Sequence, residues 1–168
     1  MSASQTNSHR FEFHSPHPGV EVQAINIQLE AFEVLTRAAW GRWNEAHMRA
    51  DMHAEWRAAE TRCVMVDGAL AGWVRLAYQP DHDWLDLMVT RPSLPGEGPG
   101  TAVLMALMEE ARRRGVPLWL SVYRINPAQR LYARLGFSVY ERDPVRLLMG
   151  RPASAPPPRL LTPGPSPS

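Results

Sequence analysis

Pro92-Ser93-Leu94-Pro95-Gly96-Glu97-Gly98-Pro99-Gly100-Thr101 is the stretch that decides the reading of this chain. An apolar, strand-like run from Leu85 to Val89 precedes it, and an apolar, helix-like run from Ala102 to Ala111 follows it. A strand, a glycine-punctuated turn and a helix start make a site for phosphate. Backbone N–H groups point outward at such a turn, and the helix dipole adds positive potential. Further along come Asn126-Pro127-Ala128, then Leu131-Tyr132 and Leu135-Gly136-Phe137. Together the two segments carry a functional reading that neither carries alone.

Outward from the turn, the pattern gives alternating element types. Residues 1–9 read as a flexible leader, and Phe11-Glu12-Phe13 as a short first strand stopped by Pro16 and Pro18. From Val20 to Ala39 the spacing of Ile25, Leu29, Phe32 and Leu35 is helical. A second helix is predicted over Trp43 to Ala59. Thr61 to Val66 is a β-rich run, Asp67-Gly68 a tight turn, and Leu70 to Tyr78 the returning strand of a hairpin. Trp84 to Val89 is the next strand. The helix after the glycine turn places Val103, Leu104, Leu107, Met108 and Ala111 on one face and ends in Arg112-Arg113-Arg114-Gly115, where cations and a left-handed glycine suit a C-terminus. Leu118 to Val122 is a buried strand. Asn126 then caps a short helix with Pro127 at its first position and Gln129 placed to bond back to the cap. Phe137 to Glu141 and Val145 to Met149 are the last strands, and residues 151–168 read as a disordered Pro-rich tail. One α+β domain over residues 10–150 follows, with a mixed sheet and a crossover through the central helix.

Composition excludes several classes. With 168 residues, 45% hydrophobic, one core is expected. The net charge of +1 supplies no field favouring nucleic acid or an anionic membrane. All 18 basic residues are Arg, so a lysine nucleophile or P-loop lysine is excluded. Cys63 is the one cysteine and reads as a buried strand residue, which rules out an internal disulfide or a cysteine zinc cluster. No apolar run reaches membrane-spanning length, and no signal core precedes the domain. A soluble, cytoplasmic protein is expected. The six histidines lack metal-ligand spacing; His47 and His53 fall on different helix faces. No metal is expected.

From about Thr61 to Met149 the chain resembles the GCN5-related N-acetyltransferase superfamily, small enzymes that use acetyl-CoA. That family's cofactor loop reads Gln/Arg-x-x-Gly-x-Gly/Ala. Gly98 and Gly100 match its glycines, Pro95 stands at the leading position, and Pro99 lies between the glycines. A second signature, an Asn at a strand exit, a Tyr six residues on and then Gly-Phe, is met by Asn126, Tyr132, Gly136 and Phe137 without a gap. Trp40-Gly41-Arg42-Trp43 is similar to a tryptophan-rich loop that borders the acceptor site in some bacterial members.

The resemblance implies a GNAT-like, mostly antiparallel sheet of six or seven strands flanked by about four helices, with two central parallel strands splayed apart. The pantetheine arm of acetyl-CoA would pair with exposed backbone near Val89 and Thr90, as an added strand does. The phosphates would rest on the amides of Gly96, Glu97, Gly98, Gly100 and Thr101, with Asn126 also at the cofactor. Each loop proline removes one N–H donor, and Pro99 is tolerated at a helix start.

Tyr132 is the family's acid for the leaving thiolate; read from spacing alone it is a core aromatic sharing a face with Ala128, Leu131 and Leu135. Asp86 and Asp83 are the candidate bases for the amine. Asp86 is the odd residue in Leu85-Asp86-Leu87, and its other reading is the polar face of a half-exposed strand. The reading adopted is acetyl transfer from acetyl-CoA to a primary amine of a small molecule, peptide or protein, with no nucleic-acid or membrane partner. The alternative is a regulatory module of the same fold that binds acyl-CoA weakly, motivated by the two prolines. The resemblance allows a homodimer; nothing in the sequence requires one.

Overall fold

The computed structural model describes residues 11–91 and 99–153. The leader, most of the glycine turn and the chain beyond 153 lie outside the described residues. In chain order the elements are β1 (Phe11–His14), α1 (Val20–Trp40), α2 (Glu45–Ala54), β2 (Thr61–Val66), β3 (Ala69–Tyr78), β4 (Asp83–Thr90), α3 (Pro99–Arg114), β5 (Leu118–Tyr123), α4 (Ala128–Arg134), β6 (Ser138–Arg142) and β7 (Arg146–Arg151). The strands form one sheet in the order β1-β2-β3-β4-β5-β7-β6. Every pairing is antiparallel except β4 with β5. This is the mixed sheet with four helices that the sequence implied.

Local chemistry sets most boundaries. Asp67 and Gly68 take positive φ, 50° and 77°, as the β2–β3 hairpin turn requires. Gly41 ends α1 at φ 68°, its N–H donating to the Arg37 carbonyl at 2.8 Å. Pro99 opens α3, where its missing N–H has no helical partner to lose. The predicted second helix is shorter than expected. Asn44 caps it, Oδ1 accepting from the His47 N–H at 3.1 Å, and it stops at Ala54 before a short 3₁₀ turn over Ala58–Glu60. The strand expected to end at Met149 continues to Arg151, so the first residue assigned to the tail belongs to the sheet. Arg151 pairs with Leu118 and donates from Nε to the Leu135 carbonyl at 2.9 Å.

Two apolar layers cover the two sheet faces. On one, Val103, Leu104, Leu107, Met108 and Ala111 of α3 pack on Val64, Val74, Leu76, Leu85, Leu118 and Leu120. On the other, Val20, Ala24 and Ile27 of α1 pack on Cys63, Leu70, Trp73 and Val89. Burial pushes the Cys63 thiol above its ordinary pKa, consistent with an inert core residue. Trp73 anchors the α1 layer: it is 1% exposed, its Nε1 donates to the Ala24 carbonyl at 3.0 Å, and its ring meets Trp56 edge-on at 5.2 Å. Trp73→Phe removes that hydrogen bond and leaves a void. It is expected to lower stability by about 2 kcal/mol, read as a lower urea midpoint at unchanged m-value.

Candidate active site

The parallel pair opens into a wedge. β4 and β5 are in register only at Asp83↔Leu118, Trp84↔Trp119 and Leu85↔Leu120. Beyond Leu85, β4 keeps its antiparallel partner β3, while β5 from Ser121 onward pairs with β7 alone. Backbone groups of Asp86–Thr90 on that side therefore have no sheet partner. The opening is a cavity of about 690 Å³. Val89 and Thr90 lie on one wall, Leu120–Tyr123 on the other, and Asn126 and Tyr132 behind.

A bulge in β4 sets which side chains face this space. Leu76 opposes Leu85 and Arg75 opposes Leu87, leaving Asp86 as the extra residue. The phase change is visible in the packing. Leu85 and Met88 contact the α3 layer, whereas Leu87 and Val89 contact the α1 layer. Bulges commonly re-aim a side chain beside a site, and here the residue is a carboxylate.

Asp86 lines the cleft, but its charge is committed. Arg75, a buried arginine of β3, donates from Nε to Oδ2 at 2.5 Å, and Arg57 Nη1 lies 3.9 Å away. Trp84 Nε1 makes a long contact to Oδ1 at 3.4 Å. Arg75 also donates from Nη1 to the Glu55 carbonyl at 3.0 Å, which ties the end of α2 to β4. Both carboxylate oxygens are thus engaged by side-chain donors of the protein itself. Asp83, the other candidate base, is fully buried and does not line the cleft. It forms an ion pair with Arg114 at the end of α3 and acts structurally.

Tyr132 is a core aromatic that also borders the cleft. It is 7% exposed and packs in the α3 core, its ring 5.9 Å from that of Phe137, yet it also lines the cleft. Burial pushes its phenol up to about 12, and among the described residues its hydroxyl has no hydrogen-bond partner. Asn126 lies nearby, its Oδ1 accepting from the Ala128 N–H at 2.9 Å. The Gln129 side chain does not bond back to it, its amide donating instead to the Arg124 carbonyl at 2.6 Å, while the Gln129 N–H donates to the Asn126 carbonyl at 3.2 Å.

The start of α3 reaches the same space. Gly100 lines the cleft, and a Cβ built there would fall 3.7 Å from Thr90 Oγ1, so the helix N-terminus stands beside the open end of β4. Thr101 is half-buried and does not line the cavity. Gly96, Glu97 and Gly98 lie outside the described residues. At the other end, α1 spans the opening. Gln28, Ala31, Phe32 and Leu35 line the cleft, and Trp40 reaches Tyr123 of β5 edge-on at 5.8 Å. Arg146 stacks over Tyr123, its Cζ 4.8 Å from the ring centroid, and donates to the Tyr123 hydroxyl at 3.0 Å.

The sequence reading missed Arg75, Glu55, Tyr123 and Arg146. Arg75 carried a signal, being the single charge inside the run Ala69–Tyr78. Among the described residues, no group of three or more His, Cys, Asp or Glu could hold a metal ion.

Comparison with known structures finds the same architecture. A PaiA N-acetyltransferase from Thermoplasma acidophilum, solved in complex with coenzyme A, superposes with TM-score 0.69 at 16% identity, covering 85% of this chain and 99% of that one. The ribosomal-protein-S18-alanine N-acetyltransferase of Escherichia coli gives TM-score 0.62 at 22% identity, covering 91% and 100%. Ard1 from Thermoplasma volcanium gives 0.58 at 18%, covering 84% and 97%. At these identities the likeness establishes the fold. No curated protein sequence matches the chain. The model of the acetyltransferase (GNAT) family matches residues 24–137, which takes in most of α1, the wedge and the helix that carries Tyr132. This chain therefore belongs to the GNAT acetyltransferase family.

Proposed function

We propose that this protein transfers an acetyl group from acetyl-CoA to a primary amine of a small molecule, peptide or protein. The observation that carries the reading is the wedge between β4 and β5, with an unpaired strand edge on one side and a buried phenol on the other. An amide-rich, extended chain such as pantetheine suits that edge, where Val89 and Thr90 offer the hydrogen bonds an added strand would use. The N-terminus of α3, sixteen residues long, stands at the mouth and favours a pyrophosphate. Coenzyme A in a structure of the same fold supports the assignment.

Acetyl-CoA supplies an acyl group already activated as a thioester. The protein's share is to hold that thioester in the wedge, admit the amine from the α1 side and donate a hydrogen bond from Tyr132 to the departing sulfur. Pro99, seated at the first position of α3, removes no donor the helix would use, so it does not argue for a binding-only module. Among the described residues no helix is long and apolar enough to cross a membrane. Cytoplasmic action completes the reading, which is compatible with the homodimer that the resemblance allows.

Titration calorimetry with acetyl-CoA tests it. Micromolar binding, with thiol release on addition of an amine, is the expected result. No heat at millimolar acetyl-CoA would remove the cosubstrate, and tight binding without thiol release would leave the regulatory module.

A further inference from the structure

The acceptor half of the cleft has its own charge pattern. An alkylamine arrives as an ammonium ion and needs an anion to hold it. Four charged residues line the cavity among those described: Glu55, Arg75, Asp86 and Arg146. Asp86 is neutralised by Arg75 at 2.5 Å, with Arg57 close by. Arg146 is stacked on Tyr123. Glu55, at the end of α2, is exposed, and among the described residues its carboxylate has neither a hydrogen bond nor an ion pair. Its main chain is fixed at both ends. The N–H donates to the Asp51 carbonyl at 2.9 Å, and the carbonyl accepts from Arg75 at 3.0 Å. The backbone is held and the side-chain charge left over.

We infer that Glu55 holds the ammonium group of the acceptor, and that the acceptor presents one positive charge to the cleft rather than two. This rests on the acetyl-transfer reading above. Glu55 is the single uncommitted anion on the described lining, and Arg75 and Arg146 are the two arginines on that same lining. A second cationic centre in the substrate would meet repulsion there. The nitrogen forms a bond to the thioester carbonyl carbon, the carbon–sulfur bond breaks, and sulfur keeps the electron pair. Two protons leave the nitrogen. One goes to solvent water before attack; the other ends on the sulfur.

The test is a thiol-release assay at pH 8 on the full chain, with glycinamide, an alanine-first tetrapeptide amide, phenethylamine and putrescine as acceptors. Glu55→Gln should raise KM for the best monoamine about tenfold while kcat stays within about threefold, the pattern of lost uniform binding. KM for acetyl-CoA should not change. Glu55→Asp should recover part of the loss, and added salt should weaken amine binding in wild type more than in Glu55→Gln. Putrescine should trail the monoamines. A Glu55→Gln variant with wild-type KM for the amine, or putrescine as the best substrate, overturns the inference. So does a raised amine KM in Asp86→Asn, at unchanged melting temperature, with Glu55→Gln unaffected. Thiol release from none of the four, with acetyl-CoA bound, overturns the transfer reading and this one with it. Release that is indifferent to Glu55 overturns this one alone.

Discussion

Tyr132→Phe is expected to lower kcat about a hundredfold while leaving the dissociation constant of acetyl-CoA within about twofold, the lower range for loss of one acid–base group. The argument starts from burial. A phenol 7% exposed, with desolvation as the cause, is pushed up to about 12. A resting thiolate has a conjugate acid near pKa 8.5, so full proton transfer from Tyr132 to it is uphill by about 5 kcal/mol. In the proposed transfer the phenol instead donates a hydrogen bond to the sulfur as negative charge grows there. In a site shielded from water such a donor acts most strongly on the transition state. The void left by Phe is one oxygen atom wide, and no described partner loses a bond, so the fold should be unaffected. The same shift sets a pH expectation. In that proposed role Tyr132 is needed protonated, and its contribution would be lost only as pH rises through the folded value of about 12. The rate should therefore show no descending limb from this residue below about pH 11. A descending limb centred near 9, absent in Tyr132→Phe, would show that the phenol titrates much lower than its burial implies. Wild-type kcat in Tyr132→Phe would remove it from the chemistry.

What the sequence showed and what it hid divide along a physical line. Local signals were readable. The Asp67-Gly68 turn, the Gly115 cap and the arginine-rich end of α3 are decided by a few adjacent residues, and the structure has them where the pattern put them. Alternation and helical spacing were enough to order all seven strands and four helices. The second helix overran because Trp56 and Ala58-Ala59 continue its spacing. It ends at Ala54, and just beyond it Arg75, from a strand 20 residues on, takes the Glu55 carbonyl, while Trp56 packs on Trp73. Such a contact has no sequence signature. Asp86 was visible as an anomaly, but its meaning depends on a bulge that pairs it with Arg75 across β3. Asp83 was read beside Asp86 as a candidate base. Three residues apart on one strand, the two point to opposite faces, one carboxylate to the cleft and the other to Arg114. The phosphate turn remains the reverse case: its residues were the strongest sequence signal, and Gly96, Glu97 and Gly98 lie outside the described residues.

Gly72→Ala should strike the fold and the cosubstrate site together. Gly72 faces Thr90 across the β3–β4 ladder. A Cβ built on it falls 2.2 Å from the Val89 carbonyl oxygen and 2.8 Å from Thr90 Cα, and both are backbone atoms that no rotamer change can move. Relieving the overlap requires the end of β4 to shift by about 1 Å. On its far side β4 has no sheet partner past Leu85, so the strand yields into the wedge. Overpacking of this kind costs about 3 kcal/mol, and the displaced groups are those of Val89 and Thr90 that would pair with pantetheine. The variant is expected to melt well below wild type and, at temperatures where it is folded, to bind acetyl-CoA at least about tenfold more weakly. Gly150→Ala separates the two effects. Its added Cβ meets Trp119 Cε3 at 2.6 Å, on the β5–β7 ladder away from the cavity lining. It should lose stability and keep its affinity for acetyl-CoA. Equal loss of affinity in both variants would mean that general loosening of the sheet, and not the position of the β4 edge, controls cosubstrate binding. Undiminished affinity in folded Gly72→Ala would show that the backbone of Val89 and Thr90 is not where the pantetheine arm pairs.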